Sequence, residues 1–110
     1  MNDSASRILG MIGLAKKAGK IVCGTDAVIE AITSGDPKRK PALTVCASDA
    51  SERTKKQLAD KCAYHSVTLI TVDVTKDELA LSVGKKDGQM SACAITDRGI
   101  AEKIILLGKG

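Results

Sequence analysis

The sequence predicts an α/β fold, a three-layer α/β/α sandwich around a four-stranded mixed sheet. Three observations carry that prediction. Segments with apolar residues at helical spacing alternate with short runs of Val, Ile, Leu and Ala along the whole chain. Those runs are apolar at consecutive positions, as in strands buried on both faces with helices covering each side. The balance of 44% hydrophobic to 27% charged residues is that of a globular protein able to build a core.

The elements follow in order. Ile8, Met11, Ile12 and Ala15 recur at helical spacing, with Leu9 and Leu14 widening the stripe. Ser4 is the expected N-cap of this first helix and Gly19 its C′ residue, with Lys16 and Lys17 at the negative end of the dipole. Ile21-Val22-Cys23 reads as a short strand. Gly24-Thr25-Asp26 reads as the turn and cap of a second helix carrying Ala27, Val28, Ala31 and Ile32, ending near Gly35. Two prolines and three cations within Asp36-Pro37-Lys38-Arg39-Lys40-Pro41 mark an exposed loop. Leu43 to Ala47 is the next strand. Asp49-Ala50-Ser51-Glu52 resembles a capping box that opens a helix through Leu58, Ala59 and Cys62. Val67 to Val72 forms a β-branched strand, and a helix runs from about Lys76 to Val83, stopped by Gly84. Met90 to Ile95 is the last strand, and Ile100, Ala101, Ile104 and Ile105 line the terminal helix. Val45, Cys46, Leu69 and Cys93 are the expected core of the central strands.

At 110 residues the chain suits one domain spanning 1–110. A chain of this size buries roughly 65% of its unfolded surface, so neither a disulfide nor a metal staple is needed. No apolar run approaches the roughly 20 residues that span a bilayer. The apolar stretch Ile8 to Ala15 has Asp3 before it and no A-x-A site after it, so neither a membrane nor export is expected. The four cysteines, at 23, 46, 62 and 93, form no C-x-x-C, and His65 is the lone histidine. The expectation is therefore four reduced, unligated thiols in a cytoplasmic protein, with no metal site.

Composition also excludes functions. With one Tyr, no Phe and no Trp, the chain lacks the two or three aromatics on which RRM, OB and cold-shock domains stack bases. Neither a P-loop nor a dinucleotide-binding glycine motif is present. His65 lies between Tyr64 and Ser66 in a turn, where a solvated surface histidine is expected rather than a catalytic base, and the carboxylates are scattered as caps and helix-surface charges. No catalytic residues, cofactor or small-molecule substrate are expected. The formal charge of +4 leans mildly towards polyanions. The junction between the first strand and the second helix is the candidate site. A glycine there permits close backbone approach, and a helix start offers unpaired N–H groups to a phosphate. Lys16, Lys17 and Lys20 precede Gly24 within eight residues.

The run from Ile12 to Gly24, IGLAKKAGKIVCG, resembles the bacterial YlxQ-like group of the L-seven-Ae/L-thirty-e/Gadd-forty-five superfamily. Similar matches continue in order through Ser48 to Lys56, Asp60-Lys61-Cys62, Thr75 to Leu79 with Gly84, and Thr96-Asp97-Arg98-Gly99. The resemblance spans nearly the whole chain. It implies the same sandwich and the binding of kink-turn RNA, a sharply bent duplex with tandem sheared G·A pairs. A ribosomal protein or another translation-linked ribonucleoprotein component is implied, with structured RNA and the ribosome as partners. The implied contacts are Gly24, Thr25 and Asp26, a second loop at Val74 and Thr75, and the basic residues Lys16, Lys17 and Lys20. The alternative is a protein-interaction module on the same fold with an eroded RNA face.

The family signature places Asn, Glu and Lys where this chain has Asp26, Ala27 and Glu30, and cations where it has Val22 and Cys23. Asn donates to and accepts from a base edge, whereas ionised Asp only accepts. Phosphate contacts are therefore expected to dominate, with weaker and more salt-sensitive binding than the full signature would give.

Overall fold

The computed structural model describes residues 3–86 and 88–109. Five helices, α1 (Asp3–Lys17), α2 (Thr25–Thr33), α3 (Glu52–Tyr64), α4 (Lys76–Ser82) and α5 (Arg98–Lys109), alternate with four strands. The strands are β1 (Ile21–Cys23), β2 (Leu43–Ala47), β3 (Leu69–Val72) and β4 (Ala92–Ile95), and they form one mixed sheet in the order β1-β4-β2-β3. The β2/β3 pair is parallel and the two pairs made by β4 are antiparallel.

Strand alternation divides the core between the two faces of this sheet. Leu43, Val45, Ala47, Cys93 and Ile95 face a layer of α1, α4 and α5, where Ile8, Ile12, Leu79, Ala101 and Ile104 are buried. Cys46, Ala92 and Ala94 face α2 and α3, against Val28, Ile32, Leu58 and Cys62. The three expected layers are present. Of the four expected core residues, Val45, Cys46 and Cys93 are buried, while Leu69 is half-buried because β3 is an edge strand.

Several local details differ from the sequence reading. Helix α1 begins at Asp3, so Ser4 lies inside its first turn rather than capping it. Ser51, not Asp49, caps α3: its Oγ accepts from the Thr54 N–H at 3.2 Å. Asp49 instead accepts from the Lys76 N–H at 2.8 Å, tying the end of β2 to the start of α4. β3 starts at Leu69 and β4 at Ala92, each two residues after the start of its apolar run.

Helix endings follow the backbone accounting. After α1, the Lys20 N–H donates to Ala15 O and the Gly19 N–H to Lys16 O, closing a Schellman motif with Gly19 at φ +69°. Gly84 does the same after α4. Ser66 takes this left-handed role after α3, at φ 58°, a conformation glycine would adopt more cheaply. At the other end of α4, Thr75 and Glu78 form a full capping box. Thr75→Ala should cost about 0.5–2 kcal/mol, read as a lower urea midpoint with an unchanged slope. A loss below ~0.3 kcal/mol would mean the box is redundant with the Asp49 contact.

Candidate nucleic-acid interface

Strand direction decides which loops meet. β2 and β3 are parallel, so the segments after them, at Ser48 and Asp73, leave the same end of the sheet. β1 ends there too, and the antiparallel β4 begins there. Hydrogen bonds stitch this end together. The Gly24 N–H donates to Ala92 O at 3.0 Å, the Ala47 N–H to Ser91 O at 2.8 Å, and the Ser48 N–H to Val74 O at 3.0 Å. The sequence-distant Gly24-Thr25-Asp26 and Val74-Thr75 segments thus lie at one edge.

Gly24 sits at φ +94°, in the region that favours glycine, and serves as the N-cap of α2. No side-chain cap bond is made at this helix start, so its first-turn N–H groups lack the oxygen that a Ser, Thr, Asp or Asn cap would supply. Asp26 and Ala27 are exposed and Thr25 is half-buried. Glu30 lies one turn beyond Asp26 on the same helix face, exposed, with its carboxylate accepting from the Arg39 guanidinium at 3.1 Å.

The second loop presents a different surface. The Val74 side chain is buried at 2% exposure, and its carbonyl accepts from both the N–H and the Oγ of Ser48. Val74 therefore braces the loop against Ser48, with its side chain turned into the core. Thr75 is exposed, but its hydroxyl is engaged by the Glu78 N–H.

The three lysines lie elsewhere. Lys20 precedes β1, and its carbonyl accepts from the Thr96 N–H at 3.0 Å, at the opposite end of the sheet from Gly24. Four residues of extended chain, about 13 Å, separate Lys20 from Gly24. Lys16 and Lys17 lie in the last turn of α1, beside Lys20 rather than beside the glycine. These cations and Gly24 therefore mark the two ends of edge strand β1.

Other cations occupy the Gly24 end. Lys55 is near enough to the buried Cys46 thiol to pull its pKa down against the larger upward push of burial. Lys76 follows the Thr75 cap, and Lys85 and Lys86 are exposed in the loop that leads to β4. Sequence reasoning missed these four. The usable signal is topological, since loops after parallel strands share an edge, and it needs the strand order.

Among the described residues, no group of three or more His, Cys, Asp or Glu side chains could hold a metal. Among them, too, no helix is long and apolar enough to cross a membrane.

Comparison with known proteins agrees with this architecture. The sequence model of the "Ribosomal protein L7Ae/L30e/S12e/Gadd45 family" matches residues 6–105. The chain is 37% identical over 97 residues to the "RNA-binding protein YlxQ" of Bacillus subtilis (strain 168), covering 88% of this chain and 90% of that protein. It is 32% identical over 104 residues to the protein of the same name from Enterococcus faecium, covering 94% and 93%. Among solved structures, the "Giardia lamblia 15.5kD RNA binding protein" superposes with a TM-score of 0.78 at 15% identity, over 99% of this chain and 90% of that one. At that identity the match speaks for the fold alone.

Proposed function

Because the chain belongs to the ribosomal protein L7Ae/L30e/S12e/Gadd45 family, we propose that it is a non-enzymatic, cytoplasmic RNA-binding protein of translation that takes a kink-turn or similarly bent RNA against the β1 edge. The uncapped, glycine-led start of α2 carries this reading. Its free N–H groups and partial positive charge suit a backbone phosphate, and Gly24 lets the strand approach without a Cβ in the way. Lys20, Lys16 and Lys17 stand at the far end of β1. An A-form duplex rises less per step than the ~3.4 Å of B-DNA, so it spans that distance in about five base steps, and one RNA can touch both ends. The names of both bacterial relatives favour this over the interaction-module alternative.

The test is a filter-binding titration against a kink-turn RNA and an unbent duplex of equal length, repeated across salt concentrations. Three or four neutralised phosphates give a slope of log K against log salt near −2 to −3.5. Lys16→Ala, Lys17→Ala and Lys20→Ala together should flatten that slope by about 2 and weaken both RNAs alike, since backbone contacts carry no sequence information. An unchanged slope would remove these lysines from the interface. Absence of binding to either RNA at low salt would overturn the proposal.

A further inference from the structure

Cys23 and Cys93 are separated by most of the chain, yet the sheet places them directly opposite each other across β1 and β4. The ladder shows which kind of pair they form. Gly24 bonds to Ala92 and Thr96 to Lys20, so the pairs 24/92 and 20/96 are hydrogen-bonded ones. Hydrogen-bonded and non-hydrogen-bonded pairs alternate along an antiparallel ladder, which makes Cys23/Cys93 a non-hydrogen-bonded pair. In such pairs the Cα atoms stand about 4.5 Å apart, inside the roughly 4.4–6.8 Å range that a disulfide spans. Residues directly opposite share a face. Both thiols accordingly meet the α1/α4/α5 side of the core, Cys93 within it and Cys23 packed against it.

Exposure divides the two. Cys93 is fully buried, whereas Cys23 is half-buried on an edge strand. Burial, and then the neighbouring Cys23 and Cys46, push the Cys93 thiol well above its ordinary range. Cys46 is not a competing partner, because it points to the opposite face of the sheet among the residues under α2 and α3.

We propose that Cys23 and Cys93 are a reversible dithiol–disulfide pair, oxidised by low-molecular-weight disulfides such as oxidised glutathione. The Cys23 thiolate attacks one sulfur of the small disulfide, breaking its S–S bond and releasing one thiolate. Cys93 gives up its proton and attacks the Cys23 sulfur of the mixed disulfide, expelling the second thiolate. The two cysteine protons end on the two released thiols. Two protein thiols are thereby oxidised and one small disulfide is reduced. The second step is the slow one, because buried Cys93 holds its proton. The new bond ties the residue before Gly24 to β4, so the β1–α2 junction feels the oxidation state.

The experiment incubates the native protein with oxidised glutathione, traps free thiols by alkylation, and maps the peptides by mass spectrometry. The expected product is a peptide containing Cys23 linked to one containing Cys93, with Cys46 and Cys62 alkylated, and with the link reversed by excess reduced glutathione. Cys93→Ala should stop at a persistent glutathione adduct on Cys23. Cys23→Ser should yield neither adduct nor link, and Cys46→Ser should behave as the native chain does. A link that forms only when urea is added, a Cys46–Cys62 link in its place, or four alkylated thiols after prolonged incubation would overturn the proposal. Circular dichroism on each variant confirms that a missing link is not a missing fold.

Discussion

Replacing Asp26 by Asn, Ala27 by Glu and Glu30 by Lys in one chain should tighten binding to a kink-turn RNA ~30-fold or more relative to binding to an unbent duplex. The two base-reading positions carry that difference. Each bidentate contact to a base edge is worth roughly 1–3 kcal/mol, on the scale measured for DNA, and about 1.4 kcal/mol is tenfold. Asp26 and Ala27 are exposed beside the uncapped start of α2, so an amide donor at 26 and a longer carboxylate at 27 have room to reach a groove. Glu30→Lys acts differently. It removes the partner of Arg39 as well as adding a cation, so two positive groups replace one neutral pair. That single change should improve every RNA about equally, as a backbone charge does. Its stability cost should stay within ~1 kcal/mol, because both partners are largely exposed. Filter binding of the native, single and triple variants decides the matter. If the triple variant gains equally on both RNAs, these positions do not read the bend. Native discrimination at nanomolar affinity would assign the reading to other residues.

Leu58→Ala should be the most damaging single truncation on the α2/α3 side of the sheet, at about 2–5 kcal/mol. Leu58 is fully buried there among Val28, Ile32, Cys46, Cys62, Ala92 and Ala94. The strand residues of that cluster are Cys46, Ala92 and Ala94, whose short side chains cannot swing in to fill the vacated space. The cavity term therefore adds to the lost transfer energy. Leu106→Ala on α5, where the side chain is 72% exposed, should stay within ~0.5 kcal/mol. Urea denaturation measures both. A Leu58→Ala loss below ~1 kcal/mol would mean that α2 and α3 collapse onto the sheet freely.

How far the sequence reaches can be followed element by element. The 3.6-residue recurrence of Ile8, Ile12 and Ala15 locates α1, and the glycines at 19 and 84 locate two helix ends, because helix period and left-handed backbone are local requirements. Consecutive apolar residues from Leu43 to Ala47 announce a strand covered on both faces, and all five are buried. Caps are less legible. Asp49, Ser51 and Thr54 all offer side-chain oxygens near the start of α3, and the Lys76 N–H draws Asp49 away across the sheet end. Strand boundaries are blurred for a related reason: Val67 and Met90 are buried apolar residues that lead into strands without joining their ladders.

Apolar periodicity, turn glycines and the absence of stacking aromatics thus determined from sequence alone the layered α/β class, the helix order and the exclusion of aromatic RNA-binding folds. Those properties depend on residues within a few positions of each other or on composition. Position at the site was decided by the tertiary structure. Lys20 is four residues from Gly24 in the chain but at the opposite end of the sheet, since an extended strand carries its ends apart. Val74 is far from Gly24 in sequence and shares its edge, and Cys23 meets Cys93 in register. The order β1-β4-β2-β3 decides the last two, and it arises from long-range strand pairing that no local pattern in the chain encodes.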